Sequence, residues 1–374
     1  MKFSISSSLL CSRVQTISRV QSSKSSLAIL DCVLFNLSEG GLQLTASDSE
    51  TTIVTNLEVL EADGYGKIAI DSKQLINSIK EISDQPITFV INPDTFQIEI
   101  IYQNGKYNII GQNGEEYPVP TRVVSDQKNV VIPADTLFSG ISRALFATAD
   151  DELRPQMNGV YFDLTTDFIT LVASDGHKLV RNRILSVRSD DNSAFILPKK
   201  PSNMLKNILP KEQGDAVIRF DERNAEITLD NYTISCRLIE GRYPNYNSVI
   251  PKDNPFRVTV DRISLISALR RVSVCASVSS SLIKLHLDAN TLTVSAQDVD
   301  YSTFAEEHVM CEYDGMSMSI GFNGPFLLEV LNSIVSQEVV LELADPSRAG
   351  VVVPAEQTEN EELIMLLMPM MLQD

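Results

Sequence analysis

Histidine and cysteine are scarce in this chain. Its three histidines, His177, His286 and His308, lie far apart, and its five cysteines, Cys11, Cys32, Cys236, Cys275 and Cys311, never form a CxxC pair. Zinc sites of the Cys/His kind need clustered ligands, so that chemistry is excluded and no metal or other cofactor is expected. An odd, scattered set of thiols argues against a disulfide framework. It favours a reduced compartment, with the cysteines as small buried apolar groups. Long apolar runs are lacking as well. None approaches the roughly 20 residues that cross a bilayer, so no membrane span is expected. The opening MKFSISSSLLCS is no convincing secretion signal, because serines interrupt its apolar part and bulky Leu10 stands before Cys11. A GxSxG elbow, a Gly-rich phosphate loop and a Walker motif are all missing, which removes the usual supports for hydrolase or nucleotidase chemistry.

Positive charge is also in deficit. Thirty-one Lys and Arg face 49 Asp and Glu, a net charge of −18 over 374 residues. Such a balance argues against nucleic acid as a partner, since phosphate binding depends on cations that release counterions. Net charge does not say where the charges sit, however. With 43% hydrophobic residues the chain can build the cores of two or three domains of ordinary size.

What the chain does contain is an internal repeat. The stretch LVASDGHKLV, residues 171–180, pairs an aspartate with a histidine in a way that suggests a catalytic couple. Related stretches are LQLTASDSE and LTVSAQDVD, which place Asp48, Asp175 and Asp298 at intervals of 127 and 123 residues. Ile70, Leu197 and Ile320 keep the same intervals, each where a short strand runs into a helix. Tyr117-Pro118, Tyr243-Pro244 and Met368-Pro369 recur at 126 and 125. The chain therefore divides into three units, 1–125, 126–252 and 253–374, each of single-domain size. The aspartate recurs in all three and the histidine in one. Asp175 is thus expected to be a turn residue whose carboxylate binds backbone N–H groups, and His177 is left without a partner for catalysis.

Each unit opens with an apolar stripe at helical spacing, such as Leu10, Val14, Ile17 and Val20, and carries a second helix after the second marker. About eight short alternating strands fill the remainder, with Asn104-Gly105 and Asn113-Gly114 as expected turns. Two helices on antiparallel sheet make an α+β unit. The predicted helices are 8–24, 71–83, 134–149, 198–211, 261–275 and 323–336. They hold thirteen basic and five acidic residues, a net +8, which leaves −26 on the rest of the chain. Helices sharing one face would form a basic surface able to meet a phosphate backbone without reading bases, although basic residues are also good helix formers on solvated faces.

MKF at the N-terminus, DGHKL at 175–179, GRYPNY at 241–246 and MPMML at 368–372, set in three tandem repeats, resemble the bacterial DNA polymerase III beta subunit family of DNA sliding clamps. The resemblance spans the whole chain. It implies a clamp fold of three similar domains forming half of a head-to-tail homodimeric ring, with helices lining a hole around duplex DNA. It also implies a non-catalytic, cytoplasmic protein, nucleoid-associated during replication, that confers processivity. The partners implied are double-stranded DNA bound without regard to sequence, the polymerase III alpha subunit, the clamp loader complex, and repair and replication proteins carrying a clamp-binding motif.

Residue by residue, the resemblance places a partner-peptide groove at Met157, Ser174, Gly176, His177, Lys178, Leu179, Pro244, Val249, Arg348, Leu366, Leu367, Met368, Pro369 and Met370. A Met-rich wall suits several partners, because an unbranched thioether repacks readily. The same resemblance assigns DNA contacts to Lys24, Lys73, Arg154, Lys199, Lys200 and Lys206, and a dimer contact of Tyr107 and Ile109 with Val274 and Cys275. Pro155, Gln156 and Met157 stand where family members carry aromatic residues, and Met371 stands where a basic one is common. The alternatives are an enzyme using scattered carboxylates, which would need a unique acid and base pair that no repeat supplies, and an acidic repeat scaffold that does not encircle DNA.

Overall fold

The structure is a computed structural model that describes residues 1–21, 27–118 and 128–372, so Lys24 lies outside the described residues. Among the described residues six α-helices punctuate a series of short strands: α1 (Ser7–Ile17), α2 (Ser72–Ile79), α3 (Ala134–Ala144), α4 (Lys199–Ile208), α5 (Arg262–Val272) and α6 (Gly324–Ser333). Each starts where a strand ends, α3 and α4 directly after Pro133 and Pro198 and the other four on a capping side chain. Ser6, Asp71, Asp261 and Asn323 each close a strand or its last turn and accept the N–H of the residue three positions on, at 2.7 to 3.3 Å. The helices are shorter than the apolar stripes predict. After α1, α3, α4 and α5 the chain tightens into 3-10 turns at Ser18–Val20, Leu145–Ala147, Leu209–Lys211 and Ser273–Cys275. A 3-10 turn keeps the three-residue spacing, so periodicity alone does not reveal where the α-helix stops.

The chain forms two compact units, Met1–Phe138 with Lys200–Leu238, and Ser139–Lys199 with Ile239–Asp374. Strands of the middle repeat contribute to both. In the first unit a five-stranded antiparallel sheet runs Glu61–Asp63, Lys2–Ser6, Pro86–Ile91, Gln97–Tyr102, Gly105–Ile110, with the last strand at an edge. A nine-stranded sheet of the same unit joins Thr51–Leu57 to Thr233–Arg237 in antiparallel register, Val54 opposite Thr233 and Thr51 opposite Cys236. Alternation puts Phe3, Phe35 and Phe89 inside, with Phe3 and Phe89 stacked at 4.9 Å between ring centroids. Such a pair adds about 1 kcal/mol beyond the area it buries. Asn104 turns a hairpin between Gln97–Tyr102 and Gly105–Ile110, as expected. Asn113-Gly114 does not: Asn113 accepts Glu115 N–H at 3.1 Å and opens a 3-10 turn.

The second unit is built on a twelve-stranded sheet. The strand Lys178–Ile184 lies between Ile169–Ser174, its hairpin partner, and Glu361–Leu367, the last strand of the chain. Glu361–Leu367 is flanked on its other side by Gly350–Pro354. At the far end Thr303–Glu312 pairs along its length with Thr291–Asp298, but meets Phe256–Asp261 only through Thr259 with Glu312 and Val260 with Cys311. All five cysteines are free, and Cys32, Cys236 and Cys311 are buried. Burial pushes the thiols of Cys32 and Cys236 up to about 11 and about 12, so they are inert core groups at neutral pH.

Candidate functional site

The repeated aspartates do the same local work. Asp175 Oδ1 accepts the N–H groups of His177 and Lys178, both at 2.8 Å, while Asp48 Oδ1 accepts those of Glu50 at 3.0 Å and Thr51 at 2.7 Å. Asp298 Oδ1 accepts those of Asp300 at 3.0 Å and Tyr301 at 3.2 Å. Each carboxylate is committed to holding a turn. The Asp175 carboxylate therefore does not serve as the orienting group of a His177 base. Elsewhere Ser319, His286 and Asp288 form a hydrogen-bonded line, with Ser319 Oγ at 2.8 Å from Nδ1 and Asp288 Oδ2 at 3.0 Å from Nε2. Strand register explains it. His286 and Ser319 are direct cross-strand partners, and the other face of that strand buries Ile283, Leu285 and Leu287.

Around the Asp175 turn the second unit assembles most of the predicted groove. Met368 N–H donates to His177 O at 2.8 Å, and Met370 N–H donates to Gly321 O at 2.8 Å, so the tail crosses the turn and reaches the strand Met318–Asn323. Gly321 permits that approach, since a Cβ there would stand 2.7 Å from Met370 O. Leu179 and Leu366 are cross-strand partners. They are buried in one apolar cluster with Val172, Ile196, Tyr243, Tyr246 and Ala349, against which Tyr161, Ile239 and Ile250 pack. Above this floor Gly176, His177, Pro244, Val249, Arg348 and Met368 are exposed. Met157 and Ser174 are buried, and Pro369 and Met370 partly so.

Two predicted groove residues point elsewhere. Lys178 and Leu367 oppose each other on the face of the sheet away from Leu179, because successive strand residues alternate. Lys178 Nζ is 2.7 Å from Glu329 on α6, 3.4 Å from Asp175 and 4.0 Å from the Phe326 ring centroid, with its side chain 6% exposed. It is anchored to the helix layer and is not part of the groove wall. Leu367 is 1% exposed and belongs to the core.

The predicted DNA contacts are scattered in character. Lys73, near the start of α2, and Lys206 on α4 are exposed. Lys199 is paired with Asp150 at 2.6 Å, and Lys200 with the Asp48 carboxylate. Arg154 is paired with Asp151 at 2.7 Å, and its guanidinium lies beside Gly176, where a Cβ would meet Nη1 at 3.3 Å. Arg154 thus stands beside the Asp175 turn. Of the predicted dimer residues, Tyr107 is 37% and Val274 84% exposed, Cys275 is intermediate, and Ile109 at 7% is buried within the first unit. Ile110, at 69%, is the exposed isoleucine of that edge strand.

The floor also contains residues the motifs did not single out, Tyr161, Ile196 and Ala349, and beside it, two positions along the same strand face from Leu179, stands Arg181 opposite Val172. Two-residue alternation from Leu179 would have found Arg181, whereas Tyr161 and Ile196 reach the cluster through cross-strand pairing that no local pattern encodes. A cavity of about 620 Å³ lined by Arg143, Glu338, Pro354, Glu356 and neighbours in the same unit contains none of the predicted groove residues.

A three-repeat chain of antiparallel sheets and paired helices, with a C-terminal strand completing the sheet beside the second repeat's turn, has the architecture of a DNA clamp. Three family models match in succession: the N-terminal domain of the DNA polymerase III beta subunit at residues 1–121, its central domain at 126–245 and its C-terminal domain at 247–371. The chain belongs to the DNA polymerase III beta subunit family. It is 27% identical to the beta sliding clamp of Haemophilus influenzae, over 98% of this chain and 99% of that one, and 25% identical to that of Pseudomonas aeruginosa over the whole of both. A crystal structure of the DNA polymerase sliding clamp from Pseudomonas aeruginosa superimposes with a TM-score of 0.92 at 25% identity, covering both chains fully.

Proposed function

We propose that this protein is a replicative sliding clamp: a non-catalytic ring, closed by two copies of the chain, that encircles duplex DNA and tethers the polymerase. One observation carries the ring. In the first repeat the strand after the aspartate turn, Thr51–Leu57, pairs with the closing strand of the second repeat, Thr233–Arg237. In the second repeat the equivalent strand, Lys178–Ile184, pairs with the closing strand of the third, Glu361–Leu367. Among the described residues the rule leaves one strand of each kind without its match: Thr303–Glu312 after the third turn, and Gly105–Ile110, the closing strand of the first repeat. A second copy supplies each with the other, head to tail, and closure removes both free edges. Val274, Cys275 and Phe304 on one side, and Tyr107 with Ile110 on the other, supply apolar contact, with Thr303 Oγ1 linked to Cys275 O at 3.4 Å.

The domains of this clamp are 1–125, 126–252 and 253–374, and its partners are duplex DNA, the polymerase alpha subunit, an ATP-driven loader and other proteins bearing a clamp-binding peptide. Lys73 and Lys206, with Lys24, Lys199 and Lys200, supply cations for sequence-independent phosphate contact. The peptides dock over the Leu179 and Leu366 floor, between Pro244, Val249 and Met368. The clamp works in the bacterial cytoplasm at the nucleoid; among the described residues no helix is long and apolar enough to cross a membrane.

The test is retention on nicked circular plasmid after loading by a cognate loader, before and after linearisation. Protein that stays on circles and leaves through free ends is topologically bound. Protein that ignores the ends, or never stays on circles despite an active loader, is an acidic scaffold and not a clamp.

A further inference from the structure

The peptide groove of the proposed clamp abuts an unusual pair of cations. Arg181 and Arg183 follow Leu179 at two-residue steps, so all three side chains project from one face of the strand Lys178–Ile184. Register agrees: Leu179 opposes Ser174 and Leu366, Arg181 opposes Val172 and Ile364, and Arg183 opposes Thr170 and Glu362. Val172, Leu179 and Leu366 are the groove floor, so the arginines continue that floor along the strand.

The Arg183 guanidinium lies over the Phe168 ring, 4.3 Å from its centroid, but the polar partners of the pair are too few. Both guanidiniums lean on one carboxylate, Glu362, which is 2.8 Å from Arg183 Nη1 and 3.6 Å from Arg181 Nη2. The second distance is beyond a hydrogen bond. The Nε atoms of both arginines are buried without a hydrogen-bond partner, and the Arg181 side chain is 13% exposed. Burial and the neighbouring Arg183 lower the pKa of Arg181 below its ordinary value. The other charged groups on this face do not relieve it: Asp163 is held by Tyr246 Oη at 2.8 Å, and Arg242 adds a further cation beside Tyr161. A half-satisfied guanidinium is costly to keep in a fold, and that cost calls for a compensating ligand.

We propose that Arg181, with Arg183, is a specificity-determining site for a carboxylate that follows the apolar anchor of a docking peptide, shared in the unliganded protein with Glu362. The proposal rests on the groove reading above. Its occupant is a peptide whose apolar side chains fill the floor at Leu179 and Leu366, and whose carboxylate then meets Arg181 beyond Tyr246.

Fluorescence polarisation with the full chain tests it. The probes are labelled Gly-Leu-Leu-Phe-Gly-Glu amide, the same peptide with Gln for Glu, and Gly-Leu-Leu-Phe-Gly as free acid and as amide. The wild type is expected to bind one or both carboxylate peptides about fivefold more tightly than the neutral counterpart, the size of a partly desolvated ion pair. Preference for Glu over Gln assigns a side-chain carboxylate, and preference for acid over amide a chain terminus. Arg181→Met should bring the ratio to about one, and Glu362→Gln, which removes the competing carboxylate, should raise it above wild type. Equal binding of charged and neutral peptides by the wild type, or a ratio indifferent to both substitutions, overturns the arginine site while leaving the groove standing. Failure of all four peptides to bind overturns the groove and the site together.

Discussion

The Asp48 and Asp175 turns are built alike, yet only the second borders a candidate groove. Each uses an Asp carboxylate to hold two backbone N–H groups and a serine, Ser47 or Ser174, whose hydroxyl donates to the carbonyl of Thr51 or Lys178. Each carboxylate also meets a lysine, Lys200 at Asp48 and Lys178 at Asp175. What differs is the surroundings. At both turns the residue that follows the last paired one donates to the turn, Met368 N–H to His177 O at 2.8 Å and Arg237 N–H to Glu50 O at 3.0 Å; the paths part next, where Met370 N–H reaches Gly321 O in the third repeat and Leu238 N–H returns to Arg223 O in its own. What sets the two turns apart is the chain laid beside each, not their own residues.

The largest expected effect separates the two turns by removing the tail. Deleting residues 368–374 takes away the Met368 and Met370 hydrogen bonds, and binding of polymerase-derived peptides should fall below detection in a polarisation assay, with the Asp48 turn untouched. Unchanged binding would move the groove elsewhere. Next in size are the two lysines. Lys178→Ala breaks a buried contact with Glu329 and Phe326 and should cost about 2 kcal/mol, whereas Lys200→Ala, at a half-exposed pair, should cost less than about 1 kcal/mol, both read from urea unfolding. Equal costs would mean that burial does not distinguish the turns.

Charge reversal at Lys199, Lys200 and Lys206 together should impair loading and retention on circular DNA and leave the sedimenting dimer intact. Because Lys199 and Lys200 are already paired with Asp150 and Asp48, Lys206→Glu alone should account for a disproportionate share of the loss. Unaltered retention in the triple variant would exclude a DNA-facing role for these lysines. The smallest expected effect exchanges the turn residues themselves. Ser49 has φ +81° and its counterpart Gly176 φ +91°, a region that favours glycine. Ser49→Gly should stabilise by about 0.5 kcal/mol, and Gly176→Ser, which brings a Cβ to 3.3 Å from Arg154, should cost about 1 kcal/mol in thermal unfolding.

Local patterns carried much of this far from any structure. The repeat spacing, the turn role of the aspartates and the starts of all six helices follow from residues close together in the chain, and so does the apolar identity of Leu179, Leu366 and Met368. Helix ends were less legible, because the apolar stripe continues into 3-10 turns. Lys178 was misplaced for a different reason. A strand sends neighbouring residues to opposite faces, so a motif that includes both Lys178 and Leu179 cannot put both into one groove. The family resemblance assigns Arg154 to DNA, and only the three-dimensional path of the chain brings it to Gly176.

By itself the sequence determined the three repeats, the α+β composition of each and the family motifs, because these depend on side-chain type at short, regular separations. Only the tertiary structure decided that Thr51–Leu57 pairs with Thr233–Arg237 and Lys178–Ile184 with Glu361–Leu367, and that Arg181 ends half-satisfied beside an apolar floor. Strand pairing joins residues as much as 189 positions apart, such as Lys178 and Leu367. Backbone hydrogen bonds are the same whatever the side chains, so the choice among strand neighbours falls to the packing of whole faces, which no single stretch of sequence contains.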